Sequence, residues 1–285
     1  MAQRIAASGA EVHVWSRSAA SAAPAADAGA VLHSTPAAVG AVASVVLFML
    51  PDVPEIEDAL FGTDGVLSGD AVRTVVVGST SSPEAVRVLG RKVAAHTERR
   101  VAVVDAPVSG GVDGAEAGTL AIMVGGEEDP VRRVVSVLEP CGTPVHLGPL
   151  GSGEVAKACN QMIVAATVMA LGEATALASR SGLDVPALLN VLGGGYAGSR
   201  ILDTRGPRMA AQDYSVSGPA KYMVKDLGFA LAESAHTSTV LPSTRTLHET
   251  FQRLVAAGFG DQDIAVTRAF IEQLDGTRLL RQEQQ

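Results

Sequence analysis

The chain has 285 residues, is 47% hydrophobic but only 4% aromatic, and carries a formal net charge of -8. That length allows one large domain or two, with a core built from Ala, Val, Leu and Ile rather than aromatic rings. No basic block offers the Lys/Arg face that nucleic acid needs, Cys141 and Cys159 lack metal-ligand spacing, and no apolar run is long and uninterrupted enough to cross a bilayer.

No secretory signal is evident either, so a reducing, cytoplasmic location is expected. Cys159 then reads as a small apolar residue.

In chain order, residues 1–8 read as a helix stopped by Gly9, and residues 11–15, Glu-Val-His-Val-Trp, as a strand. A helix running into a strand looks like a βαβ unit without its first strand. That strand would carry the Gly-rich phosphate turn of a dinucleotide-binding fold, and no G-x-G-x-x-G occurs near the N-terminus. After the strand come Ser16, Arg17 and Ser18. A basic residue and hydroxyls at this place suit a ribose 2′-phosphate; a solvated Arg in a turn is the competing reading.

The alternation continues. Residues 41–50 form an apolar run, 53–60 a short helix, 72–77 a strand, 84–96 a helix and 101–105 a further strand. This pattern predicts a mostly parallel, doubly wound sheet. The hydroxyl-rich loop at residues 78–83 either lies against a cofactor or caps the helix that Pro83 begins. Residues 106–111 form a second loop, where backbone amides and the Ser109 hydroxyl can approach a small anion beside Gly110 and Gly111. Strands are expected at 118–124 and 140–147, with a helix at 129–138 between them. Beyond Gly151 only helices are expected: 186–192, 225–236, 242–257 and 264–274, with a turn around Gly206. Arg200, Arg205 and Arg208 read as solvated surface.

Residues 151–161, GSGEVAKACNQ, open the longest of these helices, a mostly buried one over residues 154–180 with no Pro and one Gly. Ser152 is the expected N-cap. Lys157 shares a face with Asn160 and Gln161, three and four residues on. An ammonium beside a carboxamide suits proton transfer to a substrate oxygen; the alternative is a Lys snorkelling to water.

Residues 105–126, DAPVSGGVDGAEAGTLAIMVGG, resemble the substrate-loop signature of the β-hydroxyacid dehydrogenase family. GSGEVAKACNQ is similar to its catalytic motif, and Lys225-Asp226-Leu227 to its third. The three stand in register over essentially the whole chain. The resemblance implies an α/β Rossmann-type domain at residues 1–150, a long interdomain helix, and an all-α substrate and dimerisation domain at residues 151–285. It implies NAD(P)-dependent, metal-free oxidation of a small β-hydroxy acid, or reduction of its semialdehyde. Lys157 would be the general acid/base, its ammonium destabilised by burial and the helix N-terminus. Ser109, Gly110 and Gly111 would hold the substrate carboxylate, and Asn160 or Gln161 would orient the substrate. Lys225 would close over the cofactor, and Met49, Leu50 and Thr80 would line its cleft. Ser16, Arg17 and Ser18 resemble the members preferring NADP(H), with NAD(H) the second choice.

Lys157 argues against the imine reductases of similar fold. The family's opening strand and Gly-rich turn are missing, and a misassigned start codon is the expected reason. The alternative is a non-catalytic relative serving as a binding or assembly module. Tyr222 is the nearest aromatic where many members carry a Phe, which leaves the substrate open among hydroxyisobutyrate, glycerate or tartronate semialdehyde, and four-carbon sugar acids. A small carboxylate substrate and a homodimer or homotetramer are the expected partners, with no membrane and no nucleic acid.

Overall fold

The computed structural model describes residues 1–274; the last eleven residues of the expected helical domain lie outside the described part. The chain divides into two compact units, residues 1–158 and the part from Cys159 on.

In the first unit, β1 (His13–Val14) pairs in parallel with β2 (Val31–Leu32) as a separate two-stranded sheet. A ring hydrogen bond of 2.9 Å between His13 and His33 ties the pair together. The main sheet has β3 (Val45–Phe48), β4 (Thr74–Val77) and β5 (Ala102–Asp105) side by side and parallel. β6 (Val108–Ser109) follows β5 after two residues. β7 (Leu120–Gly125) runs antiparallel to β5 and β6 and parallel to β8 (Gly142–Gly148). Among the described residues β1 pairs with β2 and β3 with β4, so the two-stranded pair stands apart from the main sheet.

The β4 residues are buried on both faces, which is why this strand reads as a continuous Val run instead of alternating. Helices Val53–Phe61 and Pro83–His96 pack Ile56, Leu60, Val86, Leu89 and Val93 onto the sheet. Around Ser109 the chain is more ordered than the expected loop. β6 is followed by the helix Gly111–Ala117, which Gly118 ends at φ +71°. The apolar run at 41–50 supplies only four strand residues, because 41–43 turn to close the helix Pro36–Gly40.

The long helix spans Ser152–Arg180. It is apolar around much of its circumference, and by length and composition alone it could cross a membrane, contrary to the sequence expectation. It is also less buried than expected. Val168, Met169, Leu171 and Ala178 enter the core of the second unit, whereas Ile163 and Leu177 stand about 70% exposed. Its single Gly172 has a local cause: a Cβ there would come within 2.7 Å of the Thr267 hydroxyl, which donates to the Val168 carbonyl at 3.0 Å.

In the second unit the helices Val185–Gly193, Arg200–Ala211, Tyr222–Thr237, Pro242–Leu254 and Thr267–Gln273 enclose Met209, Leu227, Phe251 and Leu254. The turn expected at Gly206 is absent, and one helix runs through Gly206 and Pro207. A Cβ at Gly206 would lie 3.3 Å from Leu189, so tertiary packing overrides two residues that read locally as breakers. Arg205 and Arg208 are not solvated surface: both pair with the wholly buried Asp263, at 3.3 and 3.1 Å.

Candidate active site

Lys157 lies in the second turn of the long helix and is only 7% exposed. The helix start is built from a distance. The expected cap, Ser152, is already the first helical residue. Asp105, at the end of β5, takes the capping role instead: its Oδ1 accepts from the Gly151 N–H and its Oδ2 from the Glu154 N–H, both at 2.8 Å. The Glu154 carboxylate in turn accepts from the Ser81 N–H at 3.0 Å, so the loop after β4 is tied to the same helical turn.

The substrate-loop residues follow Asp105 directly. Ser109, the last residue of β6, pairs with Ala121 of β7, and Gly110 and Gly111 take φ of +140° and +66°. At Gly110 a side chain would also strike Leu120, since a Cβ would lie 2.9 Å from it. Gly111 faces open space.

Along the same helix, the Asn160 amide donates to Gln161 Oε1 at 2.9 Å, and Gln161 Nε2 donates to Asp226 at 2.5 Å. Gln161 and Asp226 are buried, and Asn160 is half-buried. The two carboxamides named for substrate orientation thus differ. Gln161 links Asn160 to the helix Tyr222–Thr237, which also carries Lys225. The Lys225 ammonium sits 5.4 Å from the centre of the Phe229 ring.

Apart from Lys225, the expected cofactor residues follow the carboxyl ends of β1, β3 and β4. A cavity of about 260 Å³ is lined by Trp15, Arg17, Leu50, Glu55, Asp58 and Asp64, among others. The Trp15 indole is held by a 3.2 Å bond to the Ser34 carbonyl. Leu50 is fastened to the loop after β4, its N–H donating to Ser79 Oγ at 2.9 Å, and Thr80 follows in that loop. Ser82 caps the helix Pro83–His96. Ser16 accepts from the Ser18 N–H at 3.3 Å and so shapes the turn, while Met49 is half exposed. Of the expected set, only Arg17 and Leu50 are among this cavity's lining residues. Trp15 and the three carboxylates had not been expected there; an aromatic residue ending a strand was the one available signal. Among the described residues, no three His, Cys, Asp or Glu side chains group as a metal site.

A family profile for the NAD-binding domain of 6-phosphogluconate dehydrogenase matches residues 1–151. Another, for the NAD-binding region of NADP-dependent 3-hydroxyisobutyrate dehydrogenase, matches residues 151–270. The 2-hydroxy-3-oxopropionate reductase of Escherichia coli (strain K12) is 36% identical over 237 residues, 82% of this chain and 80% of that one. The probable 3-hydroxyisobutyrate dehydrogenase-like 3, mitochondrial, of Arabidopsis thaliana is 35% identical over 87% of this chain and 76% of its own.

The chain belongs to the β-hydroxyacid dehydrogenase family.

The solved 3-hydroxyisobutyrate dehydrogenase of Mycobacterium tuberculosis, in complex with L-serine, superposes on this dehydrogenase with a TM-score of 0.79 at 31% identity, covering 95% of this chain and 94% of that one. The fold is accordingly a Rossmann-type N-terminal domain and a helical C-terminal one. The protein is a hydride-transfer oxidoreductase whose cofactor is a nicotinamide dinucleotide. Just beyond β1 this cavity combines an apolar wall of Trp15 and Leu50 with the Arg17 guanidinium and the carboxylates of Glu55, Asp58 and Asp64.

Proposed function

We propose that the dehydrogenase oxidises a small β-hydroxy acid, or reduces the matching semialdehyde, with NADP(H) preferred over NAD(H). The observation that carries this reading is Lys157, buried near the start of the long helix whose first turn is fastened to the end of β5. The relatives' names supply the substrate class. L-serine and 3-hydroxyisobutyrate both place a hydroxyl two bonds from the carbon bearing a carboxylate, and 2-hydroxy-3-oxopropionate has an aldehyde at that place.

When bound, the nicotinamide accepts or supplies the hydride. The protein's own share is the proton. In oxidation the substrate O–H bond breaks, and its proton passes to the Lys157 amine as the C=O bond forms. In reduction the Lys157 ammonium returns it to the carbonyl oxygen. Reversible transfer requires a side chain that can both take up and release this proton in contact with the substrate oxygen. Ser109, Gly110 and Gly111 would hold the substrate carboxylate. Asn160 would orient the substrate, supported by Gln161 and Asp226. Lys225 would bind the cofactor.

Trp15, Arg17 and Leu50 would hold the adenosine end. Arg17 stands for the 2′-phosphate, although Glu55, Asp58 and Asp64 line the same cavity and oppose added negative charge. A homodimer or homotetramer is also proposed, because Ile163 and Leu177 leave apolar surface exposed on the long helix. Light scattering would read it directly.

Turnover of 3-hydroxyisobutyrate, glycerate, L-serine and threonate with each cofactor tests the reading. Lys157→Ala should cut turnover by on the order of a hundredfold or more. Near-native turnover would remove Lys157 from its role. Arg17→Asp should shift the NADPH/NADH affinity ratio toward NADH by on the order of tenfold. An unchanged ratio would end the assignment of NADP(H) preference to that turn.

A further inference from the structure

We propose that Asp105 is the positioning residue for Lys157, fixing the first turn of the long helix to the strand end from which the substrate loop departs. The inference rests on the reading of Lys157 as the acid/base.

Asp105 is wholly buried, and each of its oxygens is used. Oδ1 accepts from Gly151, the residue just before the helix, and Oδ2 from Glu154, three residues before Lys157. Residues three apart on a helix share a face, so a shift of the Glu154 turn is a shift of Lys157. In the other direction Asp105 is followed by Ala106, Pro107 and then β6 with Ser109. One side chain therefore joins the backbone that presents the substrate loop to the backbone that presents the proposed proton carrier.

The seat is shaped for a carboxylate. Gly125 is Asp105's neighbour across the β5–β7 ladder, and a Cβ on it would lie 2.4 Å from Asp105 Oδ1. A Cβ on Gly153 would lie 2.8 Å from Oδ2 and 2.3 Å from the Met123 carbonyl. Burial pushes the Asp105 carboxyl up, and backbone hydrogen bonds from Gly151, Glu154 and Gly153 only partly offset this. A Ser, Thr or Asn in the chain's own Ncap position would cap a helix without burying a charge. What such a local cap does not supply is a link to β5, and the Asp105 side chain supplies it.

The test uses the full chain and the best substrate of the panel above. Asp105→Asn keeps one acceptor and turns a second N–H donor toward the other amide. We expect the folded variant to lose on the order of tenfold to a hundredfold in kcat, since small misplacements of a reacting group have effects of that size. KM and the cofactor affinity, read separately by nucleotide fluorescence, should stay within about threefold, because neither substrate nor cofactor contact is removed. Asp105→Asn added to Lys157→Ala should lower turnover no further than Lys157→Ala alone, as for two residues acting through one group.

An additional loss in the double variant would overturn the proposal, as would kcat within about twofold of native in Asp105→Asn, or parallel changes in kcat, KM and cofactor affinity. A Lys157→Ala variant with native turnover would fail the functional reading instead, and the two failures are thus distinct. If Asp105→Asn does not fold, Asp105→Ser, a shorter cap with one acceptor, replaces it under the same criteria. Failure of both to fold would reduce Asp105 to a stability residue and overturn the positioning role.

Discussion

Asp105 in the first unit and Asp263 in the second are both wholly shut off from solvent, yet their surroundings differ in kind. Asp105 is seated by backbone N–H groups at a helix start, and burial wins: its carboxyl is held above the ordinary value. Desolvation also acts on Asp263, but less strongly than on Asp105. There the Ser217 hydroxyl, the Ala265 N–H and the guanidiniums of Arg205 and Arg208 outweigh it, and the carboxyl is held below the ordinary value. Amide dipoles are enough to seat a buried carboxylate; in this protein the site that also favours its ionised form adds full positive charges. The two sites divide accordingly. Asp105 links a strand to the helix of Lys157. Asp263 fastens the segment before the helix Tyr222–Thr237, accepting from Ser217 at 2.6 Å and the Gly218 N–H at 3.0 Å while its own N–H donates to the Tyr214 carbonyl at 3.2 Å.

The largest effect is expected from Asp263→Ala. It would remove the carboxylate shared by Arg205 and Arg208, each about one-fifth exposed, and deprive the Gly218 and Ala265 N–H groups of their acceptor. Breaking a buried pair from one side costs about 3–5 kcal/mol, and the partial exposure of the arginines points to the lower end of that range. Denaturant unfolding measures it. A loss below about 1 kcal/mol would show that water already satisfies the arginines and that the contrast with Asp105 is one of degree.

The sharpest comparison is in pH. A carboxyl held low in the native state stabilises the fold above its ordinary 3.8, and that contribution is lost as pH falls through the depressed native value. A carboxyl held high contributes most below 3.8 and loses that contribution as pH rises through the elevated native value. Stability differences between native protein and Asp263→Asn should thus narrow toward acid. Those between native protein and Asp105→Asn should narrow toward neutral pH. Unfolding midpoints measured across the acid to neutral range decide it, and slopes of the same sign would remove the distinction.

These two sites also mark how far the sequence could be read. The long helix was legible because residues 154–180 hold no Pro and one Gly, and Lys157 because its neighbours at three and four residues are carboxamides. The substrate loop was legible in Ser109, Gly110 and Gly111. The element that joins them was not. Asp105 caps a helix start 46 residues away and Glu154 bonds Ser81 across 73, whereas local rules look only for a Ser or Asp immediately before the helix. Arg205 and Arg208 were read as surface for the same reason, their partner being some sixty residues on. Gly206 and Pro207 misled because breaker residues act through local propensity, which packing of Gly206 against Leu189 overrides. The alternation of strands and helices was clear in the sequence.

The smallest effect should come from two residues away. Asp261 also holds a cation, Lys221, at 2.6 Å, a shorter contact than either arginine makes with Asp263. Distance alone would rank it first. Exposure reverses the order: the Asp261 side chain is 87% exposed and that of Lys221 47%. Water solvates both ions when they part, salt screens them while they are together, and holding two flexible side chains in one geometry opposes the attraction. Asp261→Asn should therefore leave the unfolding midpoint unchanged within the error of the measurement at ordinary salt, on the same protein and by the same readout in which Asp263→Ala is severe. A comparable drop in both would mean that burial is not what separates these carboxylates, and the account of Asp263 as a buried charge held by two guanidiniums would lose its basis.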